Sequence, residues 1–318
     1  MTKRYDPISL DDVRTTSLYD RKSKVGVADF GAPWKAGGTF ADFLDRLPGI
    51  LAADDLKAAV QATATAARER RPVLWGMGAH VIKVGLNPVV IDLMERGVIT
   101  AVAMNGAGII HDTELAMAGR TSEEVSDVLG AGDFGMARET SAFLGEAIRQ
   151  AAAREMGLGE AVGRAVLDEG LPHAGQSILG AGARLGVPVT VHVAVGTDII
   201  HMHPAFDPAA AGAASHRDFR IHASVVADLQ DGVVYNVGSA VILPEVFLKA
   251  LSLVRNLGHV VTRFTAVNMD FLRHYRPMTN VVSRPTAGGG RGIHLTGHHE
   301  IMVPLLAAGV IEFLEQGG

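Results

Sequence analysis

At 318 residues, the chain is long enough for one large or two modest domains with a buried core. Its 48% hydrophobic and 20% charged residues are the balance of a soluble globular protein and exclude a disordered one. A formal net charge of -5 argues against nucleic-acid binding, which needs a basic face. The absence of cysteine removes disulfides, thiolate metal sites and thiol nucleophiles. No apolar run approaches the roughly 18 residues of a membrane span, and the opening MTKRYDPISLDDVR lacks a signal-peptide core. A cytoplasmic protein is expected, without nucleic-acid or membrane partners.

Residues 1–40 are polar, carry the Gly/Pro-containing string GAPWKAGG, and read as an irregular arm. Much of 39–71 has helical spacing, interrupted at Pro48-Gly49. From Val73 onward short apolar runs alternate with amphipathic segments. VLWGMG (73–78) precedes a helix from about Pro88, and ITAVAMNG (99–106) precedes a helix from about Asp112. A long helix from about 137 and a helical run at 174–185 lead to the strand VPVTVHVAVG (187–196). Then come a helix at 208–228, VVYNVGSA (233–240), a helix after Pro244, VVTRFTAVN (260–268) and a last helix after His299. Ala287–Gly292 reads as a mobile hairpin or lid. Buried strands separated by helices predict an α/β fold: one Rossmann-like domain over 41–318, its mostly parallel sheet covered by helices on both faces.

In such folds the ligand sits beyond the carboxyl ends of the strands, and the chemistry-bearing residues follow the strands here. Gly76, Gly78, Ala79 and His80 follow one strand, Asn105, Gly106, Ala107 and Gly108 another, and Gly238 and Ser239 a third. Neither Gly-x-Gly completes a dinucleotide fingerprint, so each is equally a tight βα turn. His111 lies where a general base would sit, and Asp112 is read either as orienting it or as a helix cap. Asp198, His201 and His203 form a second group. If His201 and His203 lie on a strand, they share a face and could chelate a metal, although hydrogen-bonding histidines explain the same pattern and no specific metal motif is present. Asp270, His274 and Tyr275 lie in a dense polar stretch suited to substrate contacts or a subunit contact. No Gly-x-Ser-x-Gly is present, which argues against acyl transfer.

GMGAHVIKVGL (76–86), MNGAGIIHD (104–112), GVPVTVHVAVGTD (186–198) and NVGSAV (236–241) together resemble the deoxyhypusine synthase family. A bacterial deoxyhypusine-synthase-like branch of it, with GAHVIK, NGAGIIHD and YRP strings, is similar nearly end to end. The resemblance implies an NAD-binding α/β domain, usually a homotetramer with active sites at dimer interfaces. It implies that Gly76, Ala79, His80, Asn105, Gly106, Ala107 and Gly238 border the dinucleotide. His111 stands where the family keeps a glutamate, and Asp112 matches a family aspartate. The family's imine-forming lysine has no counterpart, because no lysine follows Lys249, and arginine is no usable amine nucleophile. A translation-factor partner therefore loses its support.

The expectation is an NAD-dependent enzyme acting on a small amine- or hydroxyl-bearing substrate. His111 would be the base, Asp112 its support, and Asp198, His201, His203, Asp270, His274 and Tyr275 the substrate contacts. Lys83, after the first glycine turn, could bind a phosphate or form an imine. The alternatives are an aminobutyl- or polyamine-type transferase using NAD transiently through Lys83, a non-catalytic ligand-binding homologue, and a metal-dependent hydrolase.

Overall fold

The computed structural model describes residues 3–316. Residues 3–28 are exposed throughout. Large apolar side chains, among them Tyr5, Ile8, Leu10 and Tyr19, lie on that surface. Thr39 and Asp42 then form a capping box that starts α1 (Phe40–Arg46), and α2 (Leu51–Arg68) follows.

β1 (Val73–Met77) leads through α3 (His80–Lys83) and α4 (Asn87–Glu95) to β2 (Ala101–Asn105) and directly into α5 (Gly106–Ala118). A helical excursion of α6 (Val125–Val128), α7 (Arg138–Ala153), α8 (Leu158–Asp168) and α9 (Ile178–Leu185) precedes β3 (Val189–His192). Next come α10 (Pro208–Ala227), β4 (Val233–Val237), α11 (Ile242–Asn256) and β5 (Thr265–Asp270). The chain closes with α12 (Tyr275–Pro277), a π-helical turn at Met278–Ser283, β6 (Arg291–Thr296) and α13 (His299–Glu315). Among the described residues no helix is long and apolar enough to cross a membrane.

The six strands form one sheet in the order β3-β2-β1-β4-β5-β6, parallel at every pairing. Alternation along each strand divides the core between the two faces. Val73, Trp75, Met77, Val102 and Met104 point into the larger apolar cluster with α2, α4, α5 and α13. Leu74, Ala101, Ala103 and Val234 point into the smaller one with α10 and α11. Burial on both faces is why the strands read as near-continuous apolar runs. The order reverses between β1 and β4, so the crevice expected to take a ligand lies beyond the ends of those two strands.

Four local expectations are corrected. The helix expected from Asp112 begins at Gly106, because the Asn105 side chain accepts the Gly108 N–H at 3.1 Å and caps it there. The strand expected over 187–196 is only Val189–His192, and the chain then leaves the sheet. The hairpin expected at Ala287–Gly292 is a turn into β6, which pairs with β5 in parallel. His201 lies on a 3₁₀ turn (Ile199–Met202) with His203 as its C-terminal cap, not on a strand, so they do not share a strand face.

A buried carboxylate holds the helical excursion to the sheet. Asp218 on α10, 1% exposed, accepts the Gly159 N–H at 3.0 Å near the start of α8 and the Val191 N–H of β3 at 2.8 Å. Burial outweighs these bonds and pushes its carboxyl up to about 7. Because that folded value lies above the ordinary 3.8, the native state keeps a proton that the unfolded chain has released. The associated stability is present below pH 4 and falls by roughly 4 kcal/mol as pH rises to about 7. Asp218→Asn keeps an acceptor without the titration. Urea unfolding at pH 4, 5.5 and 7 should show a variant whose stability gains on the wild type as pH rises; parallel pH profiles would contradict it.

Candidate active site

α5 carries the centre of the site. Ala107, Ile110, His111 and Glu114 recur at helical spacing on one of its faces and line a cavity of about 510 Å³. Lys83 closes one side, Arg120, Thr121, Ser122 and Glu123 another, and Phe134, Gly135, Thr197, Asp198 and Ile199 the rest. The last turn of α5 ends in the left-handed cap Gly119, which folds the chain back so that Thr121 lies beside His111. Ser122 has φ +68, a strained conformation for a residue with a side chain.

The polar groups are ordered by a relay. His111 Nδ1 lies 2.6 Å from Thr121 Oγ1, and the Thr121 hydroxyl donates to Glu114. Thr140 on α7 holds the other Glu114 oxygen at 3.2 Å. A hydroxyl has one proton and a carboxylate only accepts, so Thr121 gives its proton to Glu114 and must accept from His111 Nδ1–H. Nε2 of His111 therefore carries the lone pair, and it makes no hydrogen bond to the described residues. Burial, helped by the Lys83 ammonium, lowers the His111 pKa to about 4, so the ring is neutral at pH 7. Thr121 was not anticipated. Its signal is the Gly119 turn, which can be read as a helix stop but does not reveal which side chain the returning chain meets.

Asp112 is not in the cavity. It is fully buried and does not contact His111; its Oδ1 accepts from Asn87 Nδ2 at 2.9 Å and Ile178 N–H at 2.9 Å, and its Oδ2 from Ser177 Oγ at 2.5 Å and Leu179 N–H at 3.1 Å. It is a cap, but of α9 rather than of its own helix.

Asp198 is buried in the cavity wall. Its Oδ2 accepts the Ala194 N–H at 2.9 Å, and a Cβ at Gly106 would stand 2.1 Å from that oxygen, so only glycine lets the carboxylate reach the start of α5. Desolvation raises the Asp198 pKa despite the Ala194 bond and nearby His201. His203 Nε2 lies 2.7 Å from the Gly135 carbonyl and braces the wall. His201 packs edge-on against Phe206 with both ring nitrogens buried and unpartnered. Among the described residues no group of three or more His, Asp or Glu side chains is placed to hold a metal.

The remaining sequence candidates sit at the sheet's reversal point or beyond it. A Cβ at Gly78 would stand 2.4 Å from the Gly238 carbonyl and one at Gly76 2.8 Å from that of Tyr235, so both glycines serve β1–β4 packing. Gly108 is tight against Met104. Ala79 is buried and Gly238 half-buried. Ser239 Oγ accepts the Leu243 N–H at 3.2 Å in the first turn of α11. His80 stacks edge-on with buried His299, ring centres 5.2 Å apart, and His299 Nδ1 has no partner. Asp270 is buried at the end of β5, while His274 is half-buried and Tyr275 exposed; none of the three lines the cavity. The short α3 joins the two places, with His80 at the reversal point and Lys83 in the cavity wall.

No protein-family model and no curated protein matches the sequence. Solved structures do resemble the fold. A protein from Entamoeba histolytica described as a deoxyhypusine synthase matches with a TM-score of 0.50 and 12% identity, over 89% of this chain and 96% of its own. The chain has a deoxyhypusine-synthase-like fold. AgrE, in a ternary complex with ornithine and NAD+, matches with a TM-score of 0.52 and 12% identity over 84% of this chain. ArgZ, an arginine dihydrolase from the ornithine-ammonia cycle in Cyanobacteria, matches with a TM-score of 0.51 and 13% identity over 81% of it. The match spans only 34% of AgrE and 31% of ArgZ.

Proposed function

We propose that this protein is an NAD-dependent enzyme that oxidises a carbon bearing an amine or hydroxyl on a small substrate, with that carbon in the α5 cavity and His111 as the base. The observation that carries this is the Glu114–Thr121–His111 relay, which leaves the lone pair of a neutral His111 Nε2 open at a cavity wall. The residues at the reversal point are compatible with a dinucleotide: Gly238 and Ala240 are half-buried rather than sealed, and the buried His299 Nδ1 beside Gly238 lacks a partner. His80, Gly238, Ala240 and His299 would border it. NAD, when bound, supplies the acceptor for the two electrons.

His111 Nε2 would take the proton from the substrate amine or hydroxyl as the carbon is oxidised. Glu114, through Thr121, would favour the imidazolium that forms and keep the ring's orientation. Ile110, Phe134 and Ile199 would exclude water around the reacting carbon. The co-crystallised NAD+ of AgrE supports the cofactor assignment by likeness of fold. Calorimetric titration of the purified chain with NAD+ should give one site per chain with Kd in roughly the micromolar to millimolar range. Heat indistinguishable from dilution at millimolar NAD+ would sink the assignment.

A further inference from the structure

The charged groups in the cavity are not evenly satisfied. Both Glu114 oxygens are held by threonines, and Glu123 Oε1 by the Gly135 N–H at 2.7 Å. Asp198 uses Oδ2 on Ala194 and has no protein donor on Oδ1 among the described residues. Arg120 and Lys83 line the cavity from exposed positions and have neither a hydrogen bond nor an ion pair among the described residues. What remains for a ligand is one buried carboxylate, Asp198, and two exposed cations, with the second oxygen of the exposed Glu123 also free.

Their order along α5 separates the signs. Asp198 reaches the start of the helix, where it meets Gly106. Arg120 follows the Gly119 cap at the other end. Between them the lining face from Ala107 to Glu114 advances about 10 Å, with His111 in its middle. A diamine would set its second ammonium beside Arg120, and a dicarboxylate would set one end against Asp198; each juxtaposition is repulsive, the second more strongly because Asp198 is buried while Arg120 is exposed. An α-amino acid with an uncharged side chain has both charges at one end and cannot span the two groups.

We propose that the α5 cavity takes a linear zwitterion, its terminal ammonium held by Asp198 and its carboxylate, at the far end of the chain, held by Arg120. This rests on the cavity being the substrate site. It narrows the substrate to a molecule with an amine and an acid separated by several carbons. Burial disfavours the Asp198 anion, and an ammonium partner offsets that cost. The carbon next to the nitrogen or within the chain then passes His111.

The test is calorimetric binding to the full chain at pH 7, with and without NAD+, using two isomers, 6-aminohexanoate and norleucine, together with hexylamine and hexanoate. A charge-assisted contact contributes ~1.5–3 kcal/mol, so 6-aminohexanoate should bind about tenfold or more tighter than each of the others. Arg120→Ala should bring it down to the level of hexylamine while hexylamine itself is unchanged. Asp198→Asn, which keeps an acceptor for Ala194, should bring it to the level of hexanoate. Norleucine or hexylamine binding as tightly as 6-aminohexanoate, no binding of 6-aminohexanoate at all, or an Arg120→Ala variant with wild-type preference would overturn the proposal. Failure of NAD+ to bind while the zwitterion preference holds would remove the dehydrogenase reading and leave this one standing.

Discussion

Replacing His111 by glutamine is expected to lower turnover by about 10²–10⁴-fold, the usual contribution of a positioned general base, with little change in unfolding midpoint. The side chain is partly open to the cavity, and its one hydrogen bond among the described residues is to Thr121. Thr121→Val should give a smaller loss, because it breaks the link to Glu114 but leaves Nε2 in place. The pH profile carries the sharper signature. The base works only when neutral, and its pKa is lowered to about 4 by burial and by Lys83. Activity governed by His111 should therefore be flat through neutral pH and fall below about pH 4. Lys83→Met removes a like charge and should move that acid limb upward. A limb that stays fixed in Lys83→Met, or a His111→Gln enzyme with wild-type turnover, would remove His111 from the reaction.

Asp112→Ala is expected to cost about 3–5 kcal/mol of stability, read as a lower urea midpoint at unchanged slope. All four acceptor positions of this fully buried carboxylate are used. Its removal strands the Ile178 and Leu179 N–H groups at the start of α9, the Ser177 hydroxyl and the Asn87 amide. These donors lie where water cannot replace the lost acceptor, which is why the penalty exceeds that of an exposed cap. At a temperature where the variant remains folded, the rate should change far less than for His111→Gln. A large loss of turnover with an unaltered urea midpoint would return Asp112 to the chemistry.

Adjacent in sequence, His111 and Asp112 differ in role because α5 turns one toward the cavity and the other into the protein. The sequence shows the apolar runs of β1, β2 and β4 clearly, since strands buried on both faces leave a near-continuous apolar signature. It does not show β6, whose RGIHLT is partly exposed and follows a glycine run suited equally to a hairpin. The sequence hides the start of α5 because Gly106 and Gly108 are poor helix formers; the first is kept by the Asp198 carboxylate, a contact across the fold, and the second by Met104 at the end of the preceding strand. His111 was legible from its position after a strand. Thr121 and Arg120 were not, because their place depends on how the chain returns from Gly119. Asp198 was picked out, but its seat against Gly106 depends on a loop that leaves β3 earlier than its apolar run suggests.

The central claim is that the α5 cavity and the neighbouring reversal point together oxidise a small substrate with NAD+. Absorbance at 340 nm after mixing the chain, NAD+ and a panel of linear amines and ω-amino acids tests it directly. The account predicts a substrate-dependent rise that is lost in His111→Gln and strongest for substrates carrying both an amine and a distant acid. Bound NAD+ with no rise for any amine or hydroxyl compound would contradict it and leave a ligand-binding protein with this fold.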